Sequence, residues 1–435
     1  MIKIFFASRR WLPYAYGFGA LLLLSLYLQV QMTVLFNAWY GKFYTLLQKP
    51  QTPNGLALFW GDIAYFFELA IPFVMLVTLT NYLTRCYAFI WREALTADYL
   101  PWWRLVPVKI ENESQRLQED TFRFARSIES LGLQIAKAFM TLVSFTPILW
   151  GLSRGVHIYT LESIPASAIV ALLVLGIVGL ALALWLRSHK RLGGFSVGTI
   201  AVKLLGWCGL MGLILYVLAH GFAFGGIAIP PLARMPGSLV WVAALASGGG
   251  LYISWVVGGK LVELEYNNQV VEANFRKELV YGEDNKLTRA LIPELAGLFI
   301  GVKLNYHRLY RHFLYFDAWS NLFGQVMIVV PFMIMGPSLF LVQGAITLGL
   351  VMQVNNAFTQ VNDSLSLFMN NWINITELRS IWMRLHEFQA NLVRHGPKRT
   401  HEEKEAGIAL FLKLCREWRA EEKVRRAALS VGTSA

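Results

Sequence analysis

A chain of 435 residues that is 56% hydrophobic and only 15% charged falls outside the range of soluble domains, which excludes an ordinary aqueous globule. Its 14% aromatic content, with 15 Trp, suits a protein with two membrane interfaces to anchor. The net charge of +12 points to nucleic acid only until the bases are placed along the chain.

Met1 to Trp11 is short and basic and leads straight into a long apolar helix, without the pattern of a cleavable signal peptide. Apolar stretches long enough to cross a bilayer, about 20 residues each, fall near 13–36, 58–81, 130–151, 166–186, 199–222, 238–258, 319–339 and 345–368. The expected fold is therefore an all-α polytopic membrane protein with about eight transmembrane helices. With the N-terminus placed in the cytoplasm, 33 of the 39 Lys and Arg lie in the inside segments and four in the outside ones. That bias predicts a multi-pass protein with both termini cytoplasmic and no nucleic-acid partner. Residues 1–390 are expected to form the transmembrane domain, and 391–435 a charged amphipathic cytoplasmic tail.

Between these spans, YLPWWRLVP reads as an amphipathic elbow at the interface, with Trp102 and Trp103 as its anchors. The stretches around 105–130 and 260–290 keep helix-forming sequence beyond any bilayer thickness, so long helical extensions into the cytoplasm are expected. In the last span and beyond, Gln353, Asn356, Gln360, Asp363, Asn370, Asn374 and Glu377 recur at spacings of three and four, with a gap at Leu367. They share one helical stripe. Facing lipid, such groups would each cost several kcal/mol, so the stripe lines either a wet cavity or a hydrogen-bonded helix seam; its length and its amides favour the cavity.

Acids inside or beside spans are the next signal. Glu265, Glu272 and Glu283 are separated by seven and eleven residues, which returns each to within about 20° of one direction. Glu119 and Glu129 share one half of the other extended helix. Spacing alone makes Glu119–Arg123, Arg126–Glu129 and Glu272–Arg276 candidates for routine ion pairs worth about 0.3–0.5 kcal/mol each. Glu68 lies about 9 Å further along the second span than Asp62, and an acid at that depth is a functional-site candidate, here for a second proton site. At the outer end of the first span, Trp39 and Tyr40 read either as aromatic belt or as cavity lining, while Asn37 braces the helix end or lines the outer mouth.

FNAWYGKFYTLLQ, QRLQEDTFRFARSIESLG, NNQVVEANFRKELVYGED, ITLGLVMQVNNAFTQV and LRSIWMRLHEF together resemble the SbmA/BacA peptide-antibiotic importers of bacterial inner membranes. The resemblance implies a homodimer with an ABC-exporter-like transmembrane fold that lacks a nucleotide-binding domain. It also implies uptake of peptides driven by the proton gradient, with no cofactor. Under it, Glu119, Glu129, Glu272 and Glu283 form a proton-handling series along the central cavity, which turns the ion-pair reading around for Glu272 and Glu283 above all. Two departures stand out: this sequence lacks an N-terminal segment seen in family members, and it carries an inserted helical hairpin at about 160–233.

No G-x-x-x-x-G-K-[ST] occurs, and about 60 residues after the last span leave no room for a nucleotide-binding domain. The competing expectation is the transmembrane subunit of an ATP-driven lipid or peptide exporter with its ATPase on a separate chain. A lipid-acting enzyme is disfavoured: His307 and His312 have no H-E-x-x-H context, and no G-x-S-x-G nucleophile motif occurs. Cys86, Cys208 and Cys415 share no close spacing and form neither a metal set nor a disulfide framework.

Overall fold

The computed structural model describes residues 1–49, 53–110, 113–153, 236–284, 290–341 and 346–432, with positions 174, 178 and 286 and two short strands between them. In chain order the helices are α1 (Ile2–Phe6), a π-helical turn Pro13–Phe18 running into α2 (Gly19–Gln48), and α3 (Gly55–Trp103). Glu113–Gln115 and a second π-helical turn, Arg116–Asp120, lead into α4 (Thr121–Ser153). Then come α5 (Ser238–Asp284), α6 (Ile292–Leu341), α7 (Leu348–Leu365), the single turn α8 (Leu367–Asn370), α9 (Trp372–His395) and α10 (His401–Gly432). Strands β1 (Phe222–Phe224) and β2 (Ile227–Ile229) form a small antiparallel hairpin.

Among the described residues, five stretches are long and apolar enough to cross a membrane: Pro13–Gln48, Gly55–Trp103, Glu113–Ser153, Ser238–Glu283 and Ile292–Gly336. The protein is an all-α polytopic membrane protein. The expected eighth span is α7 with α8; it is helical but carries too many amides to join those five. The expected spans 166–186 and 199–222, and the inserted hairpin around them, lie outside the described residues except for helical Val174 and Val178 and the strand residues.

These helices outrun the bilayer. With 49 residues, α3 is about 74 Å long, against a hydrocarbon layer of about 30 Å. The surplus of α3, α4, α5, α6 and α9 projects from one end, here called the basic end because it carries Arg116, Arg384 and Arg399. At the far end, Gly237 sits in the left-handed region (φ 72°) against the ring of Trp150, which a Cβ there would overlap. Trp150 and Gly237 therefore lie at the same end of the bundle.

The two ends are held differently. At the basic end, outside the apolar spans, the hydrophobic effect operates. Phe5, Trp91, Tyr99, Phe124, Leu385 and Phe388 form one cluster joining α1, α3, α4 and α9. Each such side chain contributes about 1.5–3 kcal/mol on full burial from water. Within the spans water offers no such drive, so close packing and hydrogen bonds hold the helices. Gln29 donates to Thr80 Oγ1 at 2.8 Å while Ser25 also bonds Thr80, joining α2 to α3. Ser247 donates to Asn362 at 2.9 Å, joining α5 to α7. Gly349 lies against the Gly41 carbonyl and Thr45; no larger residue fits where α7 crosses α2.

The structure adds detail to three sequence expectations at the basic end. The predicted elbow at Trp102 and Trp103 is instead the last turn of α3, about 33 Å past the end of the apolar span at residue 81. There both rings serve internal contacts. Trp103 donates to Glu113 at 2.8 Å, and the Arg399 guanidinium lies 4.3 Å from the Trp102 ring centroid. The boundary at 390 falls inside α9, which runs on to His395. The tail beyond is no merely solvated helix. Ile408 of α10 is buried, Leu412 packs on the basic-end cluster, and buried Asp98 of α3 pairs with Lys404 at 3.0 Å and Arg399 at 3.6 Å.

The tightest joint is ionic. The π-helical turn adds a residue to the local register and carries Asp120 into the interior, where it is 0% exposed. Arg384 of α9 grips both its oxygens, Nη2 to Oδ1 at 2.9 Å and Nε to Oδ2 at 3.2 Å. Arg116 adds a bond of 2.7 Å. Removing the acid deprives two partly buried guanidinium groups of their shared counter-charge, so Asp120→Ala is expected to cost about 3 kcal/mol. Thermal denaturation of the purified protein checks this, with exposed Glu417→Ala as the control of little effect.

Candidate functional site

A cavity of about 890 Å³ opens at the basic end between the π-helical turn, α5 and α9. Each wall follows helical spacing. Glu265, Gln269, Glu272 and Arg276 of α5 recur every three or four residues; Ser380, Arg384 and Glu387 of α9 do the same; Gln115, Arg116 and Glu119 come from the turn. An adjoining cavity of about 200 Å³ shares Arg123, Glu265 and Gln269 and extends toward Phe313 and Trp372, where α5, α6 and α9 approach the apolar spans.

The structure divides the predicted acids. Glu119 and Glu272 line the same cavity, joined by Glu265. Glu119 is also half of the expected ion pair, 2.6 Å from Arg123, and accepts from Gln115 at 3.1 Å; Arg123 reaches Glu377 at 3.5 Å. The other expected pairs do not close: neither Arg126–Glu129 nor Glu272–Arg276 comes within ion-pair distance. Glu129 is buried at 5% exposure, and its Oε1 has no hydrogen-bond partner. A charge held so costs several kcal/mol. Glu283 is exposed, about 17 Å along α5 from Glu272, and does not line the cavity. Glu68 is exposed on α3, in the apolar half of the molecule.

Among the expected cavity residues of the first and last spans, Asn37, Gln353 and Asn356 pack between helices. Asn37, buried at 1% exposure, accepts from Asn356 Nδ2 at 2.9 Å. Gln353 lies against Gly41, and Gln48 Oε1 accepts from the Leu348 N–H at 2.7 Å. These contacts make a hydrogen-bonded seam between α2 and α7 at the far end, possible because two glycines let the helices close on each other. Trp39 is buried, stacks on Phe43 with ring centroids 4.6 Å apart, and donates to the Asp62 carbonyl at 2.9 Å; Tyr40 packs edge-on to it. Gln360 is half-buried, whereas Asp363 and Asn370 are exposed. The stripe itself is interrupted at Ser366 and Asn371, where α7, α8 and α9 meet.

Reading the residues singly missed the ones that hold the site together. Arg384 also donates from Nη1 to Gln269 Oε1 at 2.8 Å, and Ser380 donates to the same oxygen at 2.9 Å. Asn268, on the cavity wall, is buried, and its Oδ1 has no partner. Asp120 and Arg384 sit in two of the family-like stretches, which was the available signal; which acid meets which base was not visible there. Among the described residues no three His, Cys, Asp or Glu come together to hold a metal ion.

Comparison with known proteins bears on this architecture. A family model described as the SbmA/BacA-like family matches residues 8–197 and 202–393. An Escherichia coli protein named inner membrane ABC transporter ATP-binding protein YddA is 23% identical over 379 residues, covering 82% of this chain and 54% of that protein. The chain thus spans about half the length of that relative. An uncharacterized ABC transporter ATP-binding protein of Haemophilus influenzae is 24% identical over 144 residues, 31% of this chain and 24% of its own length. One from Synechocystis is 27% identical over 176 residues, 39% of this chain and 26% of its own length.

The seam yields a measurable expectation. Asn356→Ala leaves the Asn37 amide buried without its partner and is expected to cost about 1–3 kcal/mol. Replacing both by Leu recovers part of that loss. Thermal denaturation of the two single variants and the double variant reads the coupling directly.

Proposed function

Because the chain belongs to the SbmA/BacA-like family of membrane transporters, we propose that it imports peptides or peptide-like antibiotics across the bacterial inner membrane, driven by proton entry. The observation that carries this reading is the cavity walled by Glu119, Glu265 and Glu272; further along α4, Glu129 is buried with its Oε1 lacking a donor. Carboxyls so placed can be loaded from one side and emptied to the other. The adjoining cavity extends the path toward the spans. Each proton entering down about 100 mV brings about 2.3 kcal/mol from the potential alone, so a few per cycle suffice to move helices.

In this reading the basic end faces the cytoplasm with both termini, following the distribution of Lys and Arg. The working unit is a homodimer, and the protein is a carrier without cofactor rather than an enzyme. The unpartnered Asn268 carbonyl suits a peptide N–H on the cavity wall. Glu283 and Glu68, both exposed, hold outlying places in the proton series.

A second reading takes its motive from the relatives' names, which describe ATP-binding proteins. In it the chain is the transmembrane subunit of an ATP-driven exporter of lipids or peptides, with the ATPase on another chain. Reconstituted liposomes separate the two. A labelled cationic peptide accumulates with a proton gradient and no nucleotide in the first case, and moves only with ATP and the partner in the second. Under the first reading, Glu129→Gln and Glu272→Gln each slow gradient-driven uptake by an order of magnitude or more, while Glu68→Gln has a smaller effect. Uptake that is indifferent to an uncoupler overturns it.

A further inference from the structure

The α9 wall meets α5 through Ser380 and Gln269, through Trp372 and the Gly258 carbonyl, and through Arg384, which alone also binds the π-helical turn and whose two attachments differ in kind. Toward the π-helical turn, Arg384 makes a two-point bond to Asp120, a carboxylate with no solvent exposure that Arg116 also holds. Charge-assisted bonds of this sort are roughly twice as strong as neutral ones, and breaking this one would strand a buried charge. Toward α5, the same guanidinium makes a single bond, from Nη1 to the neutral amide oxygen of Gln269. Ser380 adds one more neutral bond to that oxygen. Gln269 lines both cavities, so water can replace Arg384 and Ser380 as its donors once the walls part. The α4–α9 wall is thus one unit, and α5, packed on α6 through Leu261, Leu309 and Phe316, is another.

We propose that Arg384 is a positioning residue whose bond to Gln269 is a releasable latch, closing the α5 wall on the α4–α9 wall and parting when the cavity opens. This rests on reading the protein as a transporter with the cavity on its path, but the latch can be observed without transport.

The latch is tested on the full chain reconstituted in lipid, with Cys86, Cys208 and Cys415 replaced by Ser and spin labels on Lys277→Cys of α5 and Ala390→Cys of α9. Both of these positions are exposed. Pulsed electron spin measurements then give the distance distribution across the cavity in three forms. The unaltered latch is expected to show a dominant short distance with a minor long one. Gln269→Ala, which removes the acceptor, raises the long-to-short ratio roughly tenfold, and Gln269→Glu, which replaces the neutral acceptor by a carboxylate that pairs with Arg384, lowers it by a similar factor. A merely structural role for Gln269 would lower thermal stability in both variants without moving the ratio in opposite directions. One distribution common to all three forms overturns the proposal. Peptide uptake by the same liposomes is scored separately: distances that respond as stated without any uptake leave the latch standing and remove the peptide-import reading.

Discussion

The buried pair between Asp120 and Arg384 is the constraint on which the rest of the basic end depends. An acid with no access to water is tolerable only where its charge is met on several sides, and here that requirement binds the start of α4 to the middle of α9, 264 residues apart in sequence. The π-helical turn Arg116–Asp120 is the local distortion that lets the acid point inward while Glu119 beside it points to the cavity. Once these two helices are joined, α5 is left as the wall that meets them through hydrogen bonds to uncharged acceptors, Gln269 and the Gly258 carbonyl. The cavity exists because that third wall stands slightly apart.

The molecule is held by different forces at its two ends, and this follows from the solvent each end meets. Among the spans, apolar side chains face lipid or one another at little difference in free energy, so specificity comes from small residues and amides. Gly41 against Gly349 and Asn37 against Asn356 are of that kind. Beyond the spans, water restores the hydrophobic effect, and large aromatic side chains such as Phe5, Trp91 and Phe124 collect in one cluster. The docked α10 belongs to this second regime: its burial of Ile408 and its ion pair from Lys404 to Asp98 close the cluster from outside. The basic end can therefore carry charged groups and a water-accessible cavity without loosening the seam at the far end.

The cavity acids Glu119, Glu265, Glu272 and Glu387, the buried Glu129 and the amide seam use their polarity in different ways. Asn37 and Gln353 spend their polarity on joining α2 to α7, so they hold the far end shut. Glu119 and Glu272 keep theirs available on open walls. Glu119 meets Arg123 at 2.6 Å, whereas Glu129 closes no ion pair among the described residues.

Much of this was legible without coordinates. Composition and span length determined a helical membrane protein, because backbone groups in hydrocarbon can be satisfied only within helices or closed barrels. Helical spacing placed Glu265 and Glu272 on one face, since that depends only on residues in a single element. Family-like stretches marked Asp120 and Arg384 without saying that they touch. What only the tertiary structure decided was every relation between elements: that Asn37 meets Asn356 rather than water, that Glu119 closes its ion pair while Glu272 does not, and that Trp102 packs under Arg399 rather than in an interface. Periodicity reports the direction in which a side chain leaves its own helix, whereas its partner, its burial and its charge are set by which other helix lies there.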